Sequence, residues 1–260
     1  MTDEEILAED DRLITEDVAR AIEERELVAY LQPQFDVNDE RMAAIEALVR
    51  WTQPDGNVVT PPLFIPSLER TNTILGLDWY MVEEAAGFAE RHRGTALDLP
   101  VSVNLSHWHF TEDNFINILT STVDWHNVDR ARFGIEVSER ALANFEGGAA
   151  WVKQVRDAGF LVALDDFGST NGSLEVLRDI EADVLKTGRG FIERNAQSER
   201  GRKIIAASVQ LARDLGMRVI AQGVETADEL EFMRSLGCDA IQGFYYAQPM
   251  CEADLVNFGK

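Results

Sequence analysis

This sequence is short of positive charge. Its 24 Lys and Arg stand against 46 Asp and Glu, leaving 260 residues at a net −22 near neutral pH. Such a chain repels nucleic-acid backbones and anionic membranes, which disfavours a non-specific binder of DNA, RNA or lipid. Long hydrophobic runs are also missing. No stretch of about 18 apolar residues occurs, so nothing reads as a membrane span. The opening MTDEEILAEDD is acidic where a secretory signal needs a basic start and an apolar stretch. Cysteine is limited to Cys238 and Cys251, too few for a disulfide framework in a chain of this length. A reducing cytosol, and hence a cytoplasmic protein, is the expectation. The four histidines, His92, His107, His109 and His126, lack metal-ligand spacing on a helix and read as surface or packing residues. Gly and Pro, at 18 and 7 residues, are not enriched, which argues against long disorder and fibrous repeats.

What is present is an ordinary globular complement of apolar residues, 45% of the chain. A chain of this size buries roughly three-quarters of its unfolded surface, enough for one large core. Periodicity predicts an amphipathic helix over residues 11–25, carried by Leu13, Ile14, Val18 and Ile22. Two apolar runs follow, Leu27–Phe35 and Ala43–Trp51, separated by the polar stretch Asp36–Arg41. So short a linker makes them an antiparallel pair, because a parallel return needs a dozen or more residues. Strand-like runs then alternate with helical ones. The strands are Leu99–Leu105, Arg132–Val137, Phe160–Asp166, Ala182–Thr187, Met217–Gln222 and Cys238–Gly243. Helical patterns fall near residues 76–93, 112–125, 147–158, 172–180, 200–215 and 226–236. Eight strands in this order predict a single α/β unit, a TIM-like β/α barrel with one antiparallel strand at its start. Residues 1–25 form its acidic leading segment and helix, and residues 26–255 the barrel. An open doubly wound sheet is the alternative, but the Gly-rich phosphate turn that usually announces one is missing after the first strand.

In such a barrel, chemistry gathers where strands end in βα loops. The second strand reaches Glu46, the third ends at Asn104, and the fourth carries Glu136 with Glu139 beyond it. The fifth ends at Asp165-Asp166, the sixth at Lys186, the seventh at Gln222 near Glu225, and the eighth at Gln242. Carboxylates converging in one mouth raise each other's pKa and call for a cation. An all-oxygen donor set suits the hard ions Mg²⁺ or Mn²⁺, one or two of them. With a lysine beside it, such a site suits phosphoester hydrolysis.

The stretch EALVRW at Glu46–Trp51 resembles the signature of the EAL-domain family, the cyclic di-GMP phosphodiesterases. LQPQFDV (Leu31–Val37), PPLFIPSLE (Pro61–Glu69), VNLS (Val103–Ser106), EVSE (Glu136–Glu139), DDFG (Asp165–Gly168), VLK (Val184–Lys186), GVET (Gly223–Thr226), LGCD (Leu236–Asp239) and QGFYYAQPM (Gln242–Met250) follow in family order. The resemblance covers roughly residues 12–255 and implies a modified β/α barrel in a bacterial, cytoplasmic second-messenger protein. It implies that Glu46, Asn104, Glu136 and Asp165 hold a first metal, and that Asp165 bridges to a second held partly by Asp166. Lys186 matches the lysine that orients the nucleophilic water. Glu139 matches a glutamate that steadies the loop after the fifth strand. Gln32 and Arg50 match positions that contact the cyclic dinucleotide, and Gln242 a polar group at the site. A homodimer, and a sensor or GGDEF partner domain outside this chain, are further associations the family admits.

The sequence also departs from the family. Gln222 stands where the family writes the glutamate of EGVET, a second-metal ligand and candidate general base. An amide brings no charge and accepts no proton. Gly188 replaces an aspartate two residues after the lysine, and Ser169–Leu174 reads STNGSL where the family writes TGYSSL. Three functions therefore stand side by side. One is a cyclic di-GMP binder with hydrolysis impaired or absent, another an active phosphodiesterase, and the last a protein–protein signalling module without ligand.

Overall fold

The computed structural model describes residues 3–168 and 174–258, with side chains from Glu9 onward. The altered loop after DDFG, with Thr170 and Asn171, lies outside the described residues except for Leu174. The strands are β1 (Leu27–Asp36), β2 (Met42–Thr52), β3 (Val58–Val59), β4 (Val101–Asn104), β5 (Phe133–Ser138), β6 (Leu161–Phe167), β7 (Val184–Thr187), β8 (Arg218–Gln222) and β9 (Ala240–Gln242). They run in the order β1-β9-β8-β7-β6-β5-β4-β2-β3, and β1 also pairs with β2, so eight strands close into a barrel. From β4 round to β9 every neighbour is parallel, as is β2 with β4. β1 alone runs antiparallel to both of its barrel neighbours. The fold class expected from the β-α alternation is the one observed.

Two details differ. β3 is a ninth strand, hairpinned onto β2 through the pairs Trp51↔Val59 and Thr52↔Val58. At two residues it is too short to register as an apolar run. Four helices escape the periodicity as well: Ile65–Arg70, Glu139–Ala143, Arg189–Asn195 and Glu252–Asn257. Each spans under two turns, which is less than a 3.6-residue period needs to declare itself. The leading helix begins earlier than expected, at Asp3, and ends at Glu23.

Strand alternation sorts the apolar side chains into two cores. The large core joins Val162, Leu164, Leu185, Val219, Ala221 and Ile241 to the buried faces of the surrounding helices. Ala163, Val184, Ile220 and Ala240 form a separate cluster of four. They lie on the opposite faces of β6, β7, β8 and β9, so they meet as a cluster inside the barrel. Two residues further along each strand, on that same inner face, stand Asp165, Lys186, Gln222 and Gln242. The polar site lies toward the C-terminal ends of the strands from that cluster.

The loops over that layer are held by local chemistry. Thr226 caps the helix Ala227–Ser235 in a reciprocal capping box with Glu229, which fixes the GVET turn after β8. The neighbouring turn presses against it. A Cβ on Gly243 would fall 2.1 Å from the Val224 carbonyl oxygen and 2.5 Å from its nitrogen. Only glycine lets these backbones approach. Gly243→Ala is therefore expected to lose about 3 kcal/mol, as an overpacked rigid site does. A urea unfolding curve with an unchanged midpoint would refute that close approach.

Candidate active site

Six side chains from six strands meet above the inner apolar cluster. Lys186 is wholly buried, Glu136 is 1% exposed, and Glu46 and Gln242 are each 3% exposed. The Lys186 ammonium donates to Glu46 Oε2 at 2.6 Å and to Glu136. Asn104 Nδ2 donates to Glu46 Oε1 at 2.7 Å, and Gln242 Nε2 to Glu46 Oε2 at 2.6 Å. Gln242 Nε2 also donates to Gln32 Oε1 at 2.9 Å, and Gln32 Nε2 to the Ala247 carbonyl at 3.2 Å. The strand register explains these meetings, since Gln32 faces Glu46 directly across β1–β2 and Asn104 faces Glu136 across β4–β5.

β6 brings its two aspartates by another device. Its register with β7 shifts between Leu164 and Phe167, and Asp166 adopts φ 59° in the left-handed region. A bulge of this kind breaks the strict alternation that would send adjacent residues to opposite faces. Just beyond, Glu139 Oε2 accepts the Gly168 amide at 2.9 Å and pins the start of the following loop.

The charges do not balance. Burial, followed by the neighbouring Glu46 carboxylate, pushes Glu136 up to about 8 against the pull of Lys186. Burial likewise pushes Asp165 up to about 6, with Lys186 opposing and Glu46 adding to the rise. For Glu46, burial also works against ionisation, but Lys186 and the bonds from Gln242 and Asn104 outweigh it and hold its pKa low. Lys186 is kept charged by Glu136, Glu46 and Asp165 despite its burial. One ammonium thus serves the buried Glu46 and Glu136 and the half-buried Asp165, whose Oδ1 is buried without a hydrogen-bond partner. Among the described residues no three acidic, His or Cys side chains stand ready-grouped as a metal site, and Lys186 bridges Glu46 and Glu136. The donor chemistry still fits a hard divalent cation: all oxygen, short of positive charge, with one orphan carboxylate oxygen.

Residues 15–249 match the family model described as the EAL domain. The chain belongs to the EAL-domain family. Among curated EAL relatives, the bifunctional diguanylate cyclase/cyclic di-GMP phosphodiesterase MucR of Pseudomonas aeruginosa is 31% identical over 245 residues, 94% of this chain and 36% of that protein. The probable cyclic di-GMP phosphodiesterase PdeG of Escherichia coli is 28% identical over 92% of this chain and 47% of its own length. The chain therefore spans between a third and a half of these relatives. A solved structure of the P. aeruginosa MucR phosphodiesterase in complex with cyclic di-GMP superposes with a TM-score of 0.87 at 30% identity, covering 94% of this chain and 99% of that one.

The EAL barrel assembles most of the residues singled out in the sequence. Glu46, Glu136, Lys186, Asn104, Gln242 and Gln32 are in direct contact, and Asp165 is close enough to shift the titration of Glu136 and Lys186. Asp166 is exposed next to it, and Gln222 is half-buried at the end of β8, opposite Gln242 in the register. Among the described residues the Gln222 amide makes no hydrogen bond. Arg50 stands apart from the cluster: its guanidinium donates to the Val49 carbonyl at 2.7 Å and lies over the Tyr30 ring at 5.7 Å. The histidines lie elsewhere, with His109 fully buried between Asp78 and Glu112. Two residues of the cluster were missed. Ser102 Oγ donates to Glu136 Oε1 at 2.5 Å, and Gln34 Nε2 to Gln242 Oε1 at 3.1 Å. Ser102 lies two positions before Asn104 and Gln34 two after Gln32, so extending the strand period by one step on each would have found both.

The raised Glu136 has a sign that can be measured. From an ordinary 4.5 to about 8, the folded protein holds a proton that the unfolded chain has released. Stability must therefore fall as pH rises through that window. In chelator, the thermal midpoint is expected to drop less between about pH 5 and pH 8 in Glu136→Gln than in the unsubstituted protein. Parallel melting-temperature profiles for the two proteins would contradict the placement of this charge.

Proposed function

We propose that this EAL domain binds cyclic di-GMP over the barrel mouth together with a divalent cation, Mg²⁺ or Mn²⁺, and hydrolyses it to linear pGpG slowly or not at all. The observation that carries the reading is the buried cluster in which Lys186 alone offsets Glu46, Glu136 and Asp165. Glu46, Asn104, Glu136 and Asp165 would hold one ion, and Asp165 with Asp166 a weaker second. When bound, the ion supplies Lewis-acid neutralisation of phosphoryl charge. On a chain of net −22, that neutralisation joins Lys186 and Arg50 in drawing a phosphodiester to the site.

Lys186 is the group suited to orient an attacking water, since its ammonium is anchored by two carboxylates. Gln32 and Gln242 offer neutral amides, and half-buried Arg50 a guanidinium, for the phosphates and sugars. Beside Asn104 lies a cavity of about 300 Å³, lined by Leu48, Ile65, Leu77, Met81 and Leu105. An apolar slot next to a polar rim suits a nucleobase.

The impairment is assigned to Gln222. A carboxylate there would add charge for the second ion and accept the proton of the attacking water; an amide does neither. Loss of a general base commonly lowers the rate ~10²–10⁴-fold while binding changes little. Gly188 deletes another carboxylate two residues from Lys186. Its backbone, at φ −63° and ψ 140°, is one that an aspartate adopts readily, so the position can be restored. Retention of Glu46, Asn104, Glu136, Asp165, Asp166 and Lys186 favours a second reading, a working phosphodiesterase. A ligand-free signalling module is the least supported, because it gives no reason to keep so costly a buried cluster.

A hydrolysis assay in Mn²⁺ and in Mg²⁺, with calorimetry in Ca²⁺, separates the three. Cyclic di-GMP is expected to bind, with turnover faster in Mn²⁺ than in Mg²⁺. Gln222→Glu is expected to raise the rate at least about tenfold, and Gly188→Asp to raise it further but not additively. Full turnover without substitution would establish the second reading, and no heat of binding in any ion would leave only the third.

A further inference from the structure

We infer that Gln34 is a positioning residue of this site, setting the orientation of the Gln242 amide and, through it, of the Glu46 carboxylate. The inference rests on the cation and dinucleotide site proposed above. Gln34 is 3% exposed and none of the motifs assigns it a role. Its place follows from the one antiparallel strand. β1 pairs with β9 through Phe35↔Ile241, and one position beyond that pair Gln34 comes opposite Gln242 on the inner face. Across its other edge, β1 sets Gln32 opposite Glu46. The strand therefore reaches the site from both sides at once.

The amide bonds form a directed chain. Gln34 Nε2 donates to Gln242 Oε1, and Gln242 Nε2 spends its two hydrogens on Gln32 Oε1 and Glu46 Oε2. Turned over, the Gln242 amide would put its oxygen against the Glu46 carboxylate and its NH₂ against that of Gln34. Both contacts are repulsive, so the two neighbours enforce the same orientation. Without Gln34 the Gln242 oxygen is left buried and unpaired, and its amide is free to seek another partner. Glu46 then keeps the Asn104 and Lys186 bonds but loses one of the two donors that aim its Oε2.

The test uses Mn²⁺ alone, followed by electron paramagnetic resonance, and cyclic di-GMP with Ca²⁺, followed by calorimetry. Gln34→Met matches the length of the side chain without its amide. It is expected to weaken Mn²⁺ binding about tenfold, equivalent to about 1.4 kcal/mol. Because Gln34 acts through Gln242, the double variant Gln34→Met/Gln242→Met should bind no more weakly than Gln242→Met alone. Gln34→Lys and Gln34→Glu separate orientation from charge. A lysine can still donate to the Gln242 oxygen and a glutamate cannot, so orientation requires Lys to retain more Mn²⁺ binding than Glu. A purely electrostatic role requires the reverse order, since the carboxylate attracts the cation and the ammonium repels it. That comparison also decides the matter if Gln34→Met does not fold. Unchanged Mn²⁺ binding in Gln34→Met, additive losses in the double variant, or Glu binding tighter than Lys would overturn the role of Gln34. Failure of the unsubstituted protein to bind Mn²⁺ would instead overturn the site on which it rests.

Discussion

A single buried ammonium holds this molecule's centre together. Glu46, Glu136 and Asp165 come from three different strands, and in the dry interior of a barrel their mutual repulsion would force protonation or drive the strand ends apart. Lys186 lies among them with no exposed surface and bonds two of them directly. Neutral donors add hydrogen bonds without adding charge: Asn104 and Gln242 on Glu46, Ser102 on Glu136. The balance remains incomplete, as the raised pKa values of Glu136 and Asp165 record. A site short of positive charge is unfavourable for stability and favourable for capturing a cation, and the same residues produce both consequences.

The scaffold tolerates this cluster because the barrel beneath it is filled with apolar side chains. The four-residue inner cluster seals the barrel below the site, and the larger core grips the strands from outside. The ends are tied by a few charged contacts across elements. Arg70 forms a two-point bond with Asp11, clamping the leading helix to the short helix Ile65–Arg70. Glu26, at the start of β1, accepts both the Trp51 indole and Arg20 of the leading helix. Asp78 accepts the backbone amide of Ser106 while bonding buried His109, which steadies the turn just after Asn104. The ties through Arg70 and Asp78 act on the walls of the cavity beside Asn104 rather than on the carboxylates themselves.

Much of this was legible in the residues taken in order. Alternation of period-two and period-3.6 segments located eight strands to within about two residues at most ends and made the barrel the natural closure. Polar residues at the trailing ends of strands named the cluster, because one pleated face must change from apolar to polar where a barrel interior meets its mouth. The elements that escaped are short: the two-residue β3 and helices of five to seven residues, whose periods are not repeated. Ser102 and Gln34 escaped for another reason, being ordinary polar residues inside strands to which no motif gives a role.

The sequence by itself determined the order of elements, the face of each strand that turns inward, and the acidic character of the mouth. Those follow from local periodicity and residue type, which do not depend on how strands are arranged. Only the tertiary structure decided that Lys186 bridges Glu46 and Glu136 rather than standing at the rim, that Arg50 turns to Tyr30 and a backbone carbonyl, and that β1 passes an amide chain from Gln34 to Glu46. Each of these depends on register and closure between strands up to about 200 positions apart in the chain, as with Gln34 and Gln242. Hydrogen bonds reach about 3 Å, and no local pattern carries distances of that kind across so much intervening chain.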